Sequence, residues 1–235
     1  MKGVHHLSLS ILSLIILTLP FYPVFSPTVW VAVFAGVFAG SLAPDVDAPD
    51  ASIFHLTRIP RPLRILLALF GYLLRYLVYF PLSFLFFAGL GQNYRHQHRG
   101  LLHTPAGVTL ATLLLVFYAG LLAAVLSIPV TNLILASGGA FWAGCILHIV
   151  QDSCTPAGIA WRFPRSNRRV RGSIRTDSRR DIRPVLYVSI LAGCLAVLYF
   201  IPAHFPLHPS IAAPLMLAGA WVLFLLLARP ASVSS

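Results

Sequence analysis

The sequence predicts an all-α polytopic membrane protein, a bundle of about six to eight transmembrane helices with a polar site that faces the cytoplasm. Two features of the composition support this class: 58% of the 235 residues are hydrophobic and only 10% are charged, and the mean hydropathy is +0.83. A third is that the few acids and histidines cluster where long apolar runs end. These values are typical of integral membrane proteins and exclude an ordinary soluble domain.

Seven apolar runs account for the predicted helices, at residues 7–19, 28–43, 62–90, 104–127, 131–151, 184–202 and 211–228. Most are long enough to cross about 30 Å of hydrocarbon, whereas the first two are short enough to be tilted or partly buried. The start of the chain superficially resembles a signal peptide. No small-residue cleavage site precedes the second run, so we expect a retained first helix.

The run 62–90 has features of an interfacial or re-entrant segment. A proline interrupts it, and Arg64 and Arg75 share one helical face beside a stripe of tyrosines. A single crossing would place His98 on the opposite side of the membrane from Asp45. We therefore expect this run to cross an even number of times or not at all. A plain spanning helix with a snorkelling Arg75 is the alternative.

Charge predicts the orientation. Sixteen arginines and one lysine against six aspartates give a net charge of +11, and nine of the arginines fall between Arg162 and Arg183. By the positive-inside rule, the arginine-bearing side is cytoplasmic, and both termini lie on the cytoplasmic side of the plasma membrane. One basic loop between apolar helices suits anionic membrane lipids better than nucleic acid, which we do not expect as a partner.

The chain divides, by this interpretation, into two parts. Residues 1–182 form a membrane domain that carries the polar motifs and the basic loop 162–183, and residues 184–235 form a C-terminal transmembrane hairpin with a short tail. We expect residues 231–235 at the end of that tail to fray.

Asp45 and Asp47 follow the second apolar run and stand two residues apart. In an extended or turn segment, side chains at this spacing can point the same way, which suits two carboxylates that bind or bridge a cation. The alternative is a simple helix-ending turn, because Pro and Asp are common turn residues.

His148 and Asp152 are four residues apart at the end of the fifth run. That spacing places both on one helical face, which is a usual metal-binding arrangement. The alternative is a hydrogen bond between the two side chains that closes the helix end.

A more specific motif runs from His98 to His103. Gly100 permits a tight turn, so both imidazoles can approach one ion. Arg99 suits a phosphate or carboxylate oxygen, which a guanidinium binds through two hydrogen bonds. The alternative for Arg99 is an interaction with anionic lipid.

The conjunction of these motifs predicts a metal site. His5 and His6 precede the first run, and we expect one of them to be a ligand. Mixed His and Asp ligation suits zinc, or manganese or iron, better than copper or calcium. The candidates outnumber the ligands of one tetrahedral ion, which permits two or more ions. Close metal pairs activate water and stabilise a displaced oxygen, as phosphoester hydrolysis requires.

These residues resemble the YdjM-like family of membrane-bound metal-dependent hydrolases. The resemblance covers most of residues 1–182, through His6, 42–47, 98–104, 148–155 and the following loop from Gly158 to Ser178. The metal ligands that the resemblance implies are His6, Asp45, Asp47, His98, His103, His148 and Asp152. His5 is a possible substitute for His6, because two consecutive histidines match the family's motif equally well.

The resemblance, with a wider similarity to the zinc-dependent phospholipase C and nuclease superfamily, implies hydrolysis of a phosphoester. We expect a lipid headgroup or a lipid-linked precursor as substrate, with metal-activated water as the nucleophile. Arg99, Asp45 and Asp152 are the expected catalytic residues, and Arg99 would stabilise charge on phosphate oxygens. The alternatives are a metal-ion or metal-coupled transporter and a non-catalytic protein with a structural His/Asp clamp.

Overall fold

The computed structural model describes residues 3–22, 24–48, 60–90, 100–163, 165–166, 168–175, 181–200 and 208–233. The helices in these residues are α1 (Gly3–Thr18), α2 (Pro27–Gly40), α3 (Arg61–Leu73), α4 (Phe80–Leu90), α5 (Pro105–Val125), α6 (Thr131–Ser153), α7 (Arg183–Phe200) and α8 (Pro209–Ala228). Six helical stretches in the described ranges are long and apolar enough to cross a membrane, and α2 is a shorter apolar helix. The prediction of an all-α polytopic bundle is therefore confirmed.

Residues 61–90 form one continuous helix. α3 and α4 are joined by π-helical turns at Leu74–Tyr79, which end two residues before Pro81. A proline inside a helix lacks a donor and clashes with the carbonyl of the preceding turn, and a π-helical turn accommodates that mismatch. The run does not fold back on itself, and Arg61–Gly89 has the length and composition of a spanning helix. Two crossings by this run are therefore excluded, whereas the choice between no crossing and a single spanning helix stays a prediction.

The two larger apolar clusters among the described residues form the main cores of the bundle. The first is formed by residues of α5, α6 and the 61–90 helix. The second is formed by α1, α7 and α8, around the buried side chains of Leu9, Tyr187 and Phe224. Because α1 also contacts α2 and α6, the first helix joins the two cores. The division of the chain into two domains stays a prediction.

Helices α2 and α6 approach each other closely along a line of glycines. A Cβ atom at Gly40 would clash with the backbone carbonyl of Phe141, and one at Gly144 would lie 2.7 Å from the carbonyl oxygen of Val37. Small residues at such positions let membrane helices pack backbone to backbone. This contact brings Ser41, at the end of α2, next to the last turns of α6.

The basic loop after α6 is folded, and the end of the chain helps to hold it. Strand β1 (Arg169–Arg171) pairs antiparallel with strand β2 (Ala231–Val233), so the expectation that this part of the tail frays is wrong. Gly158 adopts a left-handed conformation (φ +63) that an L side chain rarely adopts. The loop thereby turns back on itself directly beyond α6.

Arg183 fastens this loop to the C-terminal hairpin. Its guanidinium donates to the Asp181 carboxylate at 2.6 Å and to the backbone carbonyl oxygens of Ser173 and Leu227. The Arg183 side chain and the backbone N–H groups of Arg175 and Arg183 lower the pKa of Asp181 to about 2. The start of α7, the basic loop and the end of α8 are therefore connected at one point.

Candidate metal centre

Four separate segments meet at one end of the bundle. His6 lies in the first turns of α1, and His148 and Asp152 lie in the last turns of α6. Two 3₁₀ turns, Ala43–Asp47 and Leu101–His103, supply the rest. The structure thus brings together His6, Asp45, Asp47, His103, His148 and Asp152.

Local sequence explains how the 3₁₀ turns present their side chains. Thr104 caps α5, because its hydroxyl accepts the backbone N–H of Gly107 at 3.0 Å and donates to the carbonyl of Leu101 at 2.8 Å. His103, directly before this cap, is therefore fixed and fully buried. Asp45 and Asp47 lie on a turn, as expected, but they approach different nitrogens of the His103 ring.

The orientation of His148 is set by a backbone carbonyl. Its Nδ1 lies 2.8 Å from the oxygen of Ser41, and because a carbonyl only accepts, Nδ1 carries the proton. In the neutral ring, Nε2 then presents a lone pair, which lies 3.5 Å from Asp45 Oδ1 and 3.9 Å from Asp152 Oδ2. This buried Nε2 makes no hydrogen bond to the described residues. Three acceptors that face one another repel unless a cation or a proton lies among them.

His103 faces the same two carboxylates from the other side. Its Nε2 lies 3.3 Å from Asp45 Oδ1 and 3.8 Å from Asp152 Oδ2. Its Nδ1 lies 3.5 Å from Asp47 Oδ2. Asp47 therefore stands behind the ring, where carboxylates commonly orient a metal-binding histidine.

The spacing of these atoms fits a divalent metal. A tetrahedral zinc ion with bonds of about 2.0–2.1 Å places its ligand atoms about 3.3–3.4 Å apart. The four His–Asp distances among His103, His148, Asp45 and Asp152 run from 3.3 to 3.9 Å. Two overlapping groups can hold an ion, one with His6, His148 and Asp152 and one with Asp45, His103 and His148.

His6 extends the cluster toward α1. Its Nε2 lies 3.3 Å from Asp152 Oδ1, and its ring stacks on His148 with centroids 4.0 Å apart. Asp152 can therefore face His6 with one oxygen and the other two histidines with its second oxygen. Of the doublet, His6 is the member that belongs to the metal-competent groups.

The pKa values of His103 and Asp45, on the two 3₁₀ turns, indicate that positive charge is favoured between them. Burial alone would lower the pKa of His103, but the carboxylates of Asp45 and Asp47 raise it to about 9. Burial alone would raise the pKa of Asp45, but His148 and His103 hold it well below its usual range. A cation, or the proton that it would displace, is therefore favoured between these side chains.

Two predicted residues lie outside the described part of the chain. His98 and Arg99 fall within 91–99, so their roles as ligand and catalytic residue stay predictions.

Sequence reasoning missed the neighbours that support the cluster. The Ser41 carbonyl has no sequence signature of its own, although the small residues at Gly40 and Gly144 point to a close helix contact. Gln151 is fully buried and donates to the hydroxyl of Ser10 at 3.3 Å. The Trp161 indole donates to the Ser153 hydroxyl at 2.7 Å and so ties the basic loop to the end of α6.

Comparison with known protein families gives a match over almost the whole chain. A family model described as "YdjM inner membrane protein" matches residues 1–232. It covers the C-terminal hairpin as well as the motif-bearing part. No curated protein and no solved structure gives a significant match.

Proposed function

This chain belongs to the YdjM inner membrane protein family, and on that premise we propose that it is a membrane-embedded, metal-dependent hydrolase of a phosphoester. One observation carries the proposal: the bare Nε2 of His148 faces oxygens of Asp45 and Asp152 in a buried cluster. Buried acceptors are rarely left facing one another without a positive charge among them.

We assign His103, His148, Asp45 and Asp152 as the ligands of one ion. His6 and the second oxygen of Asp152 offer the beginning of a second position, which His98 would complete. Asp47 holds the His103 ring through Nδ1. Zinc suits the mixed nitrogen and oxygen ligands best, and manganese or iron are the next choices.

Accessibility indicates where a substrate would approach. The Asp45 side chain is 25% exposed, whereas those of the other cluster members are at most 2% exposed. A substrate therefore meets the cluster at Asp45. A bound divalent ion supplies an acidified water and neutralises charge on phosphoryl oxygens. Asp45 is placed to accept a proton or orient that water, and Asp152 keeps His6 and His148 aligned.

Phosphate is the favoured target because the loop that follows the last turns of α6 carries exposed positive charge. Arg162, Arg165, Arg168, Arg171 and Arg175 are exposed on the loop that follows α6. Such a loop attracts anionic lipids or substrates within a Debye length of about 8–10 Å. On the positive-inside rule we place this end, with both termini, on the cytoplasmic side. Arg99 remains the proposed partner of the phosphate oxygens.

Metal content and hydrolysis together test the proposal. The purified protein in detergent micelles should contain about one to two equivalents of zinc per chain by mass spectrometry. His148→Ala should lose that metal, whereas His208→Ala, at the start of α8 away from the cluster, should keep it. Release of phosphate from phosphatidic acid in mixed micelles should require the metal and disappear in Asp152→Asn.

The other outcomes separate the alternatives. Bound metal without hydrolysis of phosphomonoester and phosphodiester probes would indicate the structural clamp. Metal uptake into proteoliposomes would indicate a transporter. Absence of metal binding would refute the hydrolase proposal.

A further inference from the structure

An apolar groove lies between α2, α5 and α6, with Phe70 of the 61–90 helix on one side. Its volume is about 550 Å³, within the range of pockets that bury small ligands. Small residues make the space: Ala32, Ala35, Gly36, Ala39, Ala119 and Gly138. The wall is almost entirely hydrocarbon, so the groove suits an alkyl chain rather than a polar ligand.

The groove opens toward the membrane. Ala35 of α2 and Ala119 of α5 line it and are exposed. Other exposed side chains of α2 and α5 are also apolar, with Val31 70% exposed and Phe117 61% exposed. α5 and α6 are long and apolar enough to span a bilayer. A groove with this surrounding surface faces acyl chains, and a water-soluble partner has no access to it.

The groove ends next to the candidate metal centre. Its length along α6, from Val130 to Phe141, is about 16 Å at 1.5 Å per residue. Phe141 closes that end and also lines a small cavity with Pro44, Leu102 and Cys145. Pro44 directly precedes Asp45, and Leu102 directly precedes His103. Phe141 therefore lies between the groove and the packed side chains that directly precede Asp45 and His103.

We infer that this groove holds an acyl chain of the phospholipid substrate, with the headgroup at the Asp45 end and the chain terminus near Val130. The inference rests on the proposed function, because it takes the phosphoester of that lipid as the group that reaches the metal centre. It narrows the substrate class from any phosphoester to one that carries an alkyl chain.

Photo-crosslinking tests the position and direction of the chain. The full protein in nanodiscs is irradiated with phosphatidic acid that carries a diazirine either at the end of one acyl chain or close to the glycerol. The terminal label should form adducts near Leu133 and Ile134, and the proximal label should form them near Ala39 and Phe141. Lipid that merely surrounds the protein would label exposed side chains such as Phe117 and Leu135 with both probes, which would overturn the inference.

A filled groove provides the matched variant. Ala119→Phe places a ring in the groove and should reduce the groove adducts by roughly tenfold, because a packed side chain excludes the ligand. Ala124→Phe makes the same change at another exposed position of α5 outside the groove lining and should leave them unchanged. Ala32→Phe, at the same groove on α2, repeats the test. Bound zinc shows that each variant is folded, and unchanged adducts in both filled variants would overturn the inference.

The metal-free variant separates this inference from the proposed function. His148→Ala should retain the groove adducts, because His148 is not among the residues that line the groove. Groove adducts without phosphate release would support the lipid-binding site and refute the hydrolase proposal. Phosphate release with no groove adducts would support the hydrolase proposal and refute the lipid-binding site.

Discussion

Gly144→Ala tests how closely the metal centre depends on the α2–α6 contact. A Cβ atom at residue 144 would lie 2.7 Å from the Val37 carbonyl oxygen and 2.9 Å from the Ser41 backbone nitrogen, whereas ordinary contacts begin at 3.4 Å. The helices must therefore move apart by about 0.7 Å. The Ser41 carbonyl would move with α2, and its 2.8 Å distance to His148 Nδ1 would approach the limit of about 3.5 Å for a useful hydrogen bond.

The expected cost has two parts. Overpacking of a close helix contact costs about 1–3 kcal/mol of stability. Loss of the group that orients a metal-binding histidine lowers metal affinity by about 10–100-fold. Zinc affinity is measured by competition with a chelator in detergent micelles, and stability by thermal unfolding of the same samples.

Gly139→Ala is the control, since it lies on the same helix and a Cβ there meets nothing within 4 Å. It should keep zinc affinity and gain up to about 1 kcal/mol, because alanine favours a helix over glycine. Equal zinc affinity in the two alanine variants would refute the reasoning that the helix contact orients His148.

Three further predictions follow from the same contacts. Asp47→Ala should weaken zinc binding by about 10–100-fold, because the substitution removes the partner of His103 Nδ1. Asp45→Ala should abolish zinc binding. Equal losses of zinc affinity in the two variants would contradict the supporting role of Asp47. Zinc at about 100 times its dissociation constant should add about 2.7 kcal/mol of stability, which raises Tm by about 5–10 °C in a chain of this size. His148→Ala should show no such rise. The pKa of Asp181 is about 2 in the folded protein and about 3.9 in the unfolded chain. The ionised carboxylate therefore stabilises the fold above about pH 3.9, and this stabilisation is lost as the pH falls toward 2. Thermal unfolding at pH 5 and pH 2.5 should therefore differ less in Asp181→Asn than in the unmodified protein.

The helices and the location of the polar cluster were predictable from the sequence. Long apolar runs form helices in a membrane because every backbone polar group must be paired within the segment. Ionisable side chains are tolerated at the ends of such helices, so the placement of His103, His148 and the aspartates marked one end of the bundle.

The finer arrangement depends on contacts that spacing does not encode. The pairing of His148 with the Ser41 carbonyl depends on the depth at which α2 and α6 cross, which glycine packing sets. The positions of Asp45 and Asp47 differ because a 3₁₀ turn places them at different nitrogens of the His103 ring, whereas their i, i+2 spacing alone favoured a shared role. The pairing of Ala231–Val233 with Arg169–Arg171 joins three-residue segments about sixty positions apart, a length too short for a hydrophobic pattern to reveal.

The charge of the cluster favours a metal over a proton as the resident cation. Three carboxylates, Asp45, Asp47 and Asp152, face histidine nitrogens in a mostly buried space. A protonated His103 offsets one negative charge, whereas a divalent ion offsets two and also engages the lone pair of His148, which an imidazolium at His103 cannot do. Since desolvating an uncompensated charge costs several kcal/mol, the arrangement is better satisfied by an ion. The close contact of α2 and α6 then has a chemical reason, because it holds the Ser41 carbonyl that accepts from His148 Nδ1 and so directs Nε2 toward Asp45 and Asp152.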